Sequence, residues 1–310
     1  MTNTTSISIA KKVKKGFLSN WELYVMLLPA IAVTFVFSYI PMYGLQIAFK
    51  TTRLGANYLN GDWIGFDNFV RFFNSGWFGI IMKNTVLLSI VSYLITFPFT
   101  ILLALMIFNS VNKRVAKFTQ TFTYLPHLLS SVVVIGILNL FCNGETGLIN
   151  ILLRILGLDP ISFFGRNDLV LPMYTITNLW QHVGFSAIVY LAALNSVDVS
   201  IIESARIDGA NKFKIMMKIQ IPWILPVIVT MLILHMGHML NVSVDKVLLM
   251  QTDLNISASE VIGTYVYKAG IKSAQYGFAT AVGLFINCIN LVMLLLVNWL
   301  SKRVSDTSIF

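Results

Sequence analysis

Six apolar stretches of about 20 residues each dominate the chain, and a helix of that length can cross a membrane. They cover residues 23–42, 85–108, 119–141, 169–194, 222–244 and 278–300. Only 11% of the 310 residues are charged, whereas soluble proteins carry about 25%. The sequence therefore predicts an all-α integral membrane protein with six transmembrane helices, located in the cell (plasma) membrane as a multi-pass protein.

The segment before the first apolar stretch is polar and contains four lysines within residues 1–20. A signal peptide is one interpretation of this arrangement. However, the stretch 23–42 is long for a signal-peptide core, and a small-x-small cleavage site is lacking. We therefore expect a cytoplasmic tail at 1–20 and an uncleaved first span. A loop should follow, with a short interfacial helix within 62–73, where Trp and Phe suit the headgroup zone.

Lysine and arginine are distributed unevenly among the segments that join the spans. Thirteen of the 22 lie in the segments 1–20, 109–118, 196–221 and 301–310, although the remaining segments are much longer. Because cytoplasmic loops carry an excess of positive charge, both termini and the segment 196–221 should be cytoplasmic. Membrane topology thus accounts for the net charge of +9, and we predict no nucleic-acid partner.

A polar insert at 203–226 separates the fourth and fifth apolar stretches, and its pattern predicts two short helices. Asp198 or Ser200 can cap the first helix, because a short side-chain oxygen accepts from the free N–H groups of a first turn. Gly209 is placed to end it, since glycine adopts the left-handed conformation at little cost. A basic second helix should begin at about Asn211. Charge at this place in an apolar chain indicates a docking surface.

The insert resembles the cytoplasmic EAA loop of ABC-importer permeases, whose pattern is roughly E-A-A-x-x-D-G-A followed by an apolar run to L-P. The matching residues are Glu203, Ser204, Ala205, Asp208, Gly209 and Ala210. Ser204 stands where the pattern has its first alanine, and Met216 stands where phenylalanine is common. In that family the loop, here 198–221, is the coupling helix that sits in a cleft of the ATPase subunit. The alternative is an ordinary basic cytoplasmic loop.

The resemblance covers about 25–300 and is greatest to the type I permeases of the maltose-like carbohydrate group. It implies a second permease subunit, two ATP-binding subunits and an extracytoplasmic solute-binding protein, with membrane lipid around the spans. ATP and magnesium would bind to the partner subunits, and this chain would bind no cofactor. The chain then divides into cytoplasmic tails at 1–20 and 303–310, a first transmembrane helix with its extracytoplasmic loop at 21–84, and a permease core at 85–302.

Enzyme chemistry is not indicated by the residues. The chain lacks a G-x-x-x-x-G-K-[ST] run, so ATPase activity is expected on separate subunits. Cys142 and Cys288 do not have the spacing of a disulfide framework or a metal site. His235 and His238 are three residues apart and could bind a metal, relay protons or hydrogen-bond in a polar cavity. Because no cysteine or carboxylate is near them in sequence, we predict a cavity or helix-packing role and no metal.

Neutral polar and aromatic side chains recur within the apolar stretches, where an unpaired polar group is costly. Amides, imidazoles and aromatic rings hold sugars by hydroxyl hydrogen bonds and ring stacking. The lack of acidic residues in the spans argues against a cation or proton path. The residues predicted to line a passage are Asn139, Trp180, Gln181, His182, His235, His238 and Asn241. The alternative is that such side chains join helices to one another.

The combined prediction is the transmembrane permease subunit of an ATP-driven importer, which forms with a second permease the passage for an oligosaccharide or polysaccharide fragment. A permease for a non-sugar solute, such as a peptide or amino acid, is the alternative. A membrane-embedded enzyme or scaffold is a third hypothesis. A pull-down separates the third from the others, because a lone enzyme should not retain an ATPase.

Overall fold

The computed structural model describes residues 20–51 and 60–304, with side chains up to residue 302. The tails predicted at 1–20 and 303–310 lie outside this part, apart from one residue of the first and two of the second. The segments joining the spans, including the polar insert, all lie wholly or mainly within it.

Helices form most of the described chain, and extended pairing there is limited to an isolated bridge between Lys50 and Trp63. The predicted all-α class is confirmed. In chain order the helices are α1 (Trp21–Phe49), α2 (Asp67–Phe73), α3 (Phe78–Phe108), α4 (Lys113–Tyr124), α5 (Ser131–Cys142), α6 (Leu148–Ile155), α7 (Asn167–Leu194), α8 (Val199–Ile207), α9 (Lys212–Met236), α10 (Val244–Met250), α11 (Ile256–Ser259), α12 (Ile262–Tyr267) and α13 (Tyr276–Val304).

Four of these helices, α1, α3, α9 and α13, are individually long and apolar enough to cross a membrane. Two bent helix pairs pass the same test when each is taken as one span: Lys113–Leu128 with α5, bent by 103°, and α7 with α8, bent by 79°. The resulting total of six agrees with the number predicted from the apolar stretches.

The third span, predicted as one helix over 119–141, is broken. α4 continues into a short 3-10 turn, Leu125–Leu128, which contains Pro126. Proline lacks the N–H that the interior of a helix requires. A new helix then begins, because the Ser130 hydroxyl accepts a hydrogen bond from the N–H of Val133 and caps α5. The break therefore has a local cause in the sequence.

The fifth span, predicted over 222–244, ends earlier than expected. α9 ends at Met236, and residues 237–243 form turns and a loop that lead to α10. His238 and Asn241 therefore lie in this connection, just past the end of the helix, whereas His235 remains in its last turn.

The centre of the bundle is the contact between α3 and α7, the most extensive between any two helices of the described chain. Ala104, Tyr190, Leu194 and Ile224 form a buried cluster that joins this pair to α9. Burying a large apolar side chain stabilises a soluble protein by about 1.5–3 kcal/mol. Between membrane helices the surrounding lipid is also apolar, so close packing contributes more to stability than removal from water does. This core holds fixed the helices that surround the cavity described below.

α1 lies outside this core. The side chains of its first part, Trp21–Thr34, are all exposed, and most of them are apolar. An exposed apolar face of this length requires lipid or another protein around it. The exposure is consistent with a membrane-embedded helix at the edge of the bundle.

Candidate functional site

The polar insert folds as two helices joined by a tight turn, and we call residues 198–221 the α8–α9 hairpin. Of the two residues predicted to cap its first helix, Asp198 does so: its carboxylate accepts from the N–H of Ser200 at 2.9 Å. Asn211 caps the second helix, with its side-chain oxygen 2.8 Å from the N–H of Lys214. Both caps satisfy backbone donors that would otherwise be free at a helix start.

Gly209 forms the turn between the two helices. Its φ is +79°, in the left-handed region that favours glycine. The next N–H, from Ala210, donates to the carbonyl of Ala205 at 2.9 Å and so closes the end of α8. A β-carbon at position 209 would meet nothing within 4 Å. The requirement for glycine is therefore conformational rather than steric.

The hairpin has one side that packs against the bundle and one that is open. Ile202, Val197 and Ile215 form a buried cluster, with Ala205 and Ala210 packed partly against it. The other four residues of the predicted coupling motif are exposed: Glu203, Ser204, Asp208 and Gly209. The two alanines thus support the hairpin, while the polar residues and the turn face outward.

Two exposed apolar residues on the hairpin were not predicted as part of the site. Ile207 is 87% exposed and Phe213 is 69% exposed, and they lie on either side of the Asp-Gly turn. Large apolar side chains presented in this way are typical of a protein contact surface. The sequence shows that both residues lie next to the turn. Helix periodicity alone does not show that they face away from the bundle.

A pair of amides connects the hairpin to the bundle. The Asn109 side chain donates to the Gln220 oxygen at 2.7 Å, and the Gln220 side chain donates back to the Asn109 oxygen at 2.9 Å. Gln220 is fully buried and Asn109 is half-buried, so water has limited access to this double hydrogen bond. Asn109 directly follows the last residue of α3. The hairpin is therefore tied to the end of a central helix of the bundle.

A cavity of about 560 Å³ lies between α3, α7 and α9. Its wall combines aromatic rings with neutral polar groups, and none of its lining residues is Asp, Glu, Lys or Arg. The polar and aromatic lining includes Ser89, Ser92, Tyr93, Thr96, Thr100, Tyr174, Asn178, His182, Phe185, Tyr190, His235, His238 and Asn241. Such a wall offers hydrogen-bonding groups and flat ring faces together.

Aromatic stacking holds part of this wall in place. The rings of Tyr93 and His235 are parallel, with centroids 3.6 Å apart. Near them, the Asn178 side chain donates to the Ser92 hydroxyl at 2.9 Å. The Tyr93 hydroxyl is buried and has no hydrogen-bond partner among the described residues. A buried hydroxyl without a partner is costly, so this part of the wall carries an unsatisfied polar group.

The break in the third span meets the cavity at a pair of histidines. The Nδ1 atoms of His127 and His182 are 3.1 Å apart, and the His127 ring stacks on Phe185 with centroids 3.9 Å apart. Gln181 donates to the carbonyl of Leu129 at 2.8 Å on the same break. These contacts join the broken span to α7 and fix the orientation of His182.

The cavity brings together four of the seven residues predicted to line a passage: His182, His235, His238 and Asn241. The other three lie elsewhere. Asn139 lines a separate hollow of about 470 Å³ beside α5, Trp180 is 41% exposed, and Gln181 is buried against the break. Residues adjacent along a helix point in different directions, which separates Trp180 and Gln181 from His182.

Most of the wall that α3 contributes was missed from the sequence. Ser89, Ser92, Tyr93, Thr96 and Thr100 recur every three or four residues, which places them on one face of a helix. A polar stripe of this spacing in an otherwise apolar helix is the signal that could have identified it.

Comparison with known proteins then decides the family. Residues 96–306 match the family described as binding-protein-dependent transport system inner membrane component. The chain belongs to this family. The predicted family is thus confirmed, and the protein is a multi-pass membrane permease of a binding-protein-dependent transport system.

Relatives match almost the whole permease. The polygalacturonan/rhamnogalacturonan transport system permease protein YteP of Bacillus subtilis is 35% identical, covering 93% of this chain and 90% of the relative. Protein LplB of the same organism is 36% identical, with coverages of 93% and 91%. The named relatives include transport permeases, which are not enzymes.

A solved structure shares the fold of the permease. It is the crystal structure of a bacterial ABC transporter involved in the import of the acidic polysaccharide alginate. One chain of it superposes with a TM-score of 0.87 and 39% identity, covering 95% of the permease and 99% of that chain. A second structure of the alginate transporter, in complex with an alginate pentasaccharide-bound periplasmic protein, has the same TM-score.

Proposed function

We propose that this permease forms, with a second permease subunit, the membrane passage for an oligosaccharide or polysaccharide fragment. The observation that carries the proposal is the 560 Å³ cavity, whose wall has aromatic rings and neutral hydrogen-bonding groups but no charged side chain. Sugars are bound through hydroxyl hydrogen bonds and contacts with ring faces. The relatives named for polysaccharide transport favour this cargo over a peptide or an amino acid.

In this proposal ATP and magnesium bind to two separate ATPase subunits, and the α8–α9 hairpin docks on them. Glu203, Ser204, Asp208 and Gly209 face the ATPase, while Ala205 and Ala210 support the hairpin from behind. Ile207 and Phe213 add an apolar contact on either side of the turn. ATP can shift the permease between its states only if this contact differs between them.

The same proposal gives the orientation of the chain in the membrane. The hairpin and both termini are cytoplasmic, in keeping with the excess of lysine and arginine in those segments. A solute-binding protein then delivers the cargo on the opposite side. The described connections on that side, 50–51 with 60–77, 143–166 and 237–275, face that protein.

Reconstitution of the complete importer in proteoliposomes tests the proposal. Neutral and acidic oligosaccharides of two to six units are offered beside peptides and amino acids, each with ATP enclosed on the ATPase side. ATP-dependent uptake of at least one oligosaccharide is expected. Uptake confined to peptides or amino acids contradicts the sugar assignment, and uptake without the ATPase subunits contradicts the importer mechanism.

His238→Ala should weaken apparent substrate affinity about tenfold, because one or two hydrogen bonds to the sugar are lost. His238 is exposed and lines the cavity, and the hydrogen bond of its side chain among the described residues, with Asn241, is long at 3.5 Å, so assembly should be unaffected. The concentration dependence of uptake measures the effect. Trp180→Ala, on the same bundle but outside the cavity, is the control. Equal kinetics for both variants would remove His238 from the passage.

Glu203→Lys should reduce uptake at least about tenfold, because it reverses a charge at the proposed ATPase contact. Glu203 is exposed, so the variant should reach the membrane in normal amount. Uptake and ATP hydrolysis are measured together, and hydrolysis should no longer rise with substrate. Glu22→Lys makes the same exposed charge reversal at the start of α1, outside the hairpin, and should transport normally. Full uptake by Glu203→Lys contradicts the docking assignment.

A further inference from the structure

Lys246 is a fully buried lysine next to the cavity. It is 1% exposed on α10, the helix that directly follows the cavity-lining residues Asn241–Ser243. Its Nζ atom has no hydrogen-bond partner among the described residues. Lys268, in the same part of the chain, differs: its ammonium group forms an ion pair with Glu260. Lys246 is thus an unpaired buried charge where a neighbouring lysine is paired.

Such a charge is costly to keep. A buried ion without a counter-ion loses its hydration and gains little in return. The ring of Tyr174, whose centroid is 5.8 Å from the Nζ atom, offsets only part of this by a cation–π contact. α10 lies outside the six spans, and burial lowers the pKa of Lys246 to about 8. That value is above neutral, so the side chain remains mostly protonated at pH 7.

Tyr174 places this charge against the cavity wall. The Tyr174 side chain lines the cavity, and its hydroxyl accepts from the N–H of Ser243 at 3.3 Å. Lys246 lies over the same ring without lining the cavity itself, and its charge also acts on the imidazole of His182. Because the lining itself contains no charged side chain, Lys246 gives the wall a positive potential that no acidic lining residue cancels.

We propose that Lys246, packed against the ring of Tyr174, makes the passage selective for anionic sugars, such as oligosaccharides of uronic acids. The inference rests on the proposed import of oligosaccharides and adds the charge class of the cargo. A uronate carboxylate in the cavity is attracted by the positive potential of Lys246, and a neutral sugar of the same size is not. The aromatic and amide groups hold the rings, and Lys246 distinguishes acidic from neutral cargo.

The test uses a matched pair of probes, the pentasaccharide of galacturonic acid and its fully methyl-esterified form, which differ in charge but keep the same sugar backbone. Binding of each to the complete importer in nanodiscs is measured by calorimetry, without the solute-binding protein. The wild type should bind the acid at least about tenfold more tightly than the ester. Lys246→Met should weaken acid binding by about the same factor, and Lys246→Arg should largely retain it. Lys272→Met, which removes an exposed lysine of the same region, is the control.

A thermal unfolding measurement separates selectivity from packing. Lys246→Met should not lower the unfolding temperature, because it removes an uncompensated buried charge. If both Lys246 variants lower it and acid binding falls only with the amount of folded protein, Lys246 is a packing residue and the inference fails. Equal wild-type binding of acid and ester, or unchanged acid binding by Lys246→Met, also overturns it. If the wild-type importer binds neither probe, the inference also fails. The proposed function is then still tested separately, by the uptake assay with neutral oligosaccharides.

Discussion

Gly209→Val should abolish substrate uptake while leaving the permease in the membrane. A β-branched side chain is strongly disfavoured at a φ of +79°, and holding it there costs about 1–3 kcal/mol. The turn will instead take another conformation, which redirects Ile207 and Phe213 away from the ATPase contact that we propose. Uptake and ATPase retention in a pull-down measure the loss, and membrane extracts measure the amount of protein.

Two further variants make this prediction specific. Gly209→Asn should retain most of the uptake, because asparagine tolerates the left-handed conformation better than other residues. Gly65→Val introduces the same strain at a φ of +61° far from the hairpin and should leave ATPase retention unchanged. Normal uptake by Gly209→Val would show that the geometry of this turn does not matter for coupling.

Gly184→Ala should be the most destabilising of these substitutions, although it adds only one methyl group. A β-carbon at position 184 would lie 2.1 Å from the carbonyl oxygen of Thr123, which is part of α4. Because a backbone atom cannot rotate away, α4 and α7 must separate, at a cost of about 1–3 kcal/mol. The hydrogen-bonding distance between His127 and His182 should be lost with it. Thermal unfolding of the detergent-solubilised complex measures the effect.

Gly136→Ala is the matched control for this substitution. Gly136 also lies within a helix, but a β-carbon there would meet nothing within 4 Å. Alanine favours the helix over glycine, so the unfolding temperature should stay the same or rise. A similar decrease for both variants would mean that the contact between Gly184 and Thr123 is not what holds α4 to α7.

The local features of this fold could be predicted from the sequence. The apolar stretches indicate the spans, and the Asp-Gly turn at 208–209 indicates the hairpin, because each depends on residues close in the chain. The break at Pro126 has a local cause too. A pattern of apolar residues alone reveals neither this break nor the early end of α9 at Met236, since the apolar stretches continue past both points.

The cavity was predictable only in part, because its wall depends on contacts between distant segments. Gln181 and His182 are neighbours in sequence, yet one braces a helix break and the other lines the cavity. Which of them faces inward depends on how α7 is rotated against α3. The burial of Lys246 was even harder to predict, because a single lysine in a polar connection gives no sign that folding will bury it against Tyr174.

The double hydrogen bond between Asn109 and Gln220 is formed by two uncharged groups. Its strength therefore depends little on salt or pH. Neither amide gains or loses a proton in the physiological range, and mobile ions screen only charges. An ion pair at the same position would weaken with rising ionic strength and in acid. The hairpin therefore stays fastened to α3 with nearly constant strength when the salt content or acidity of the surrounding fluid changes.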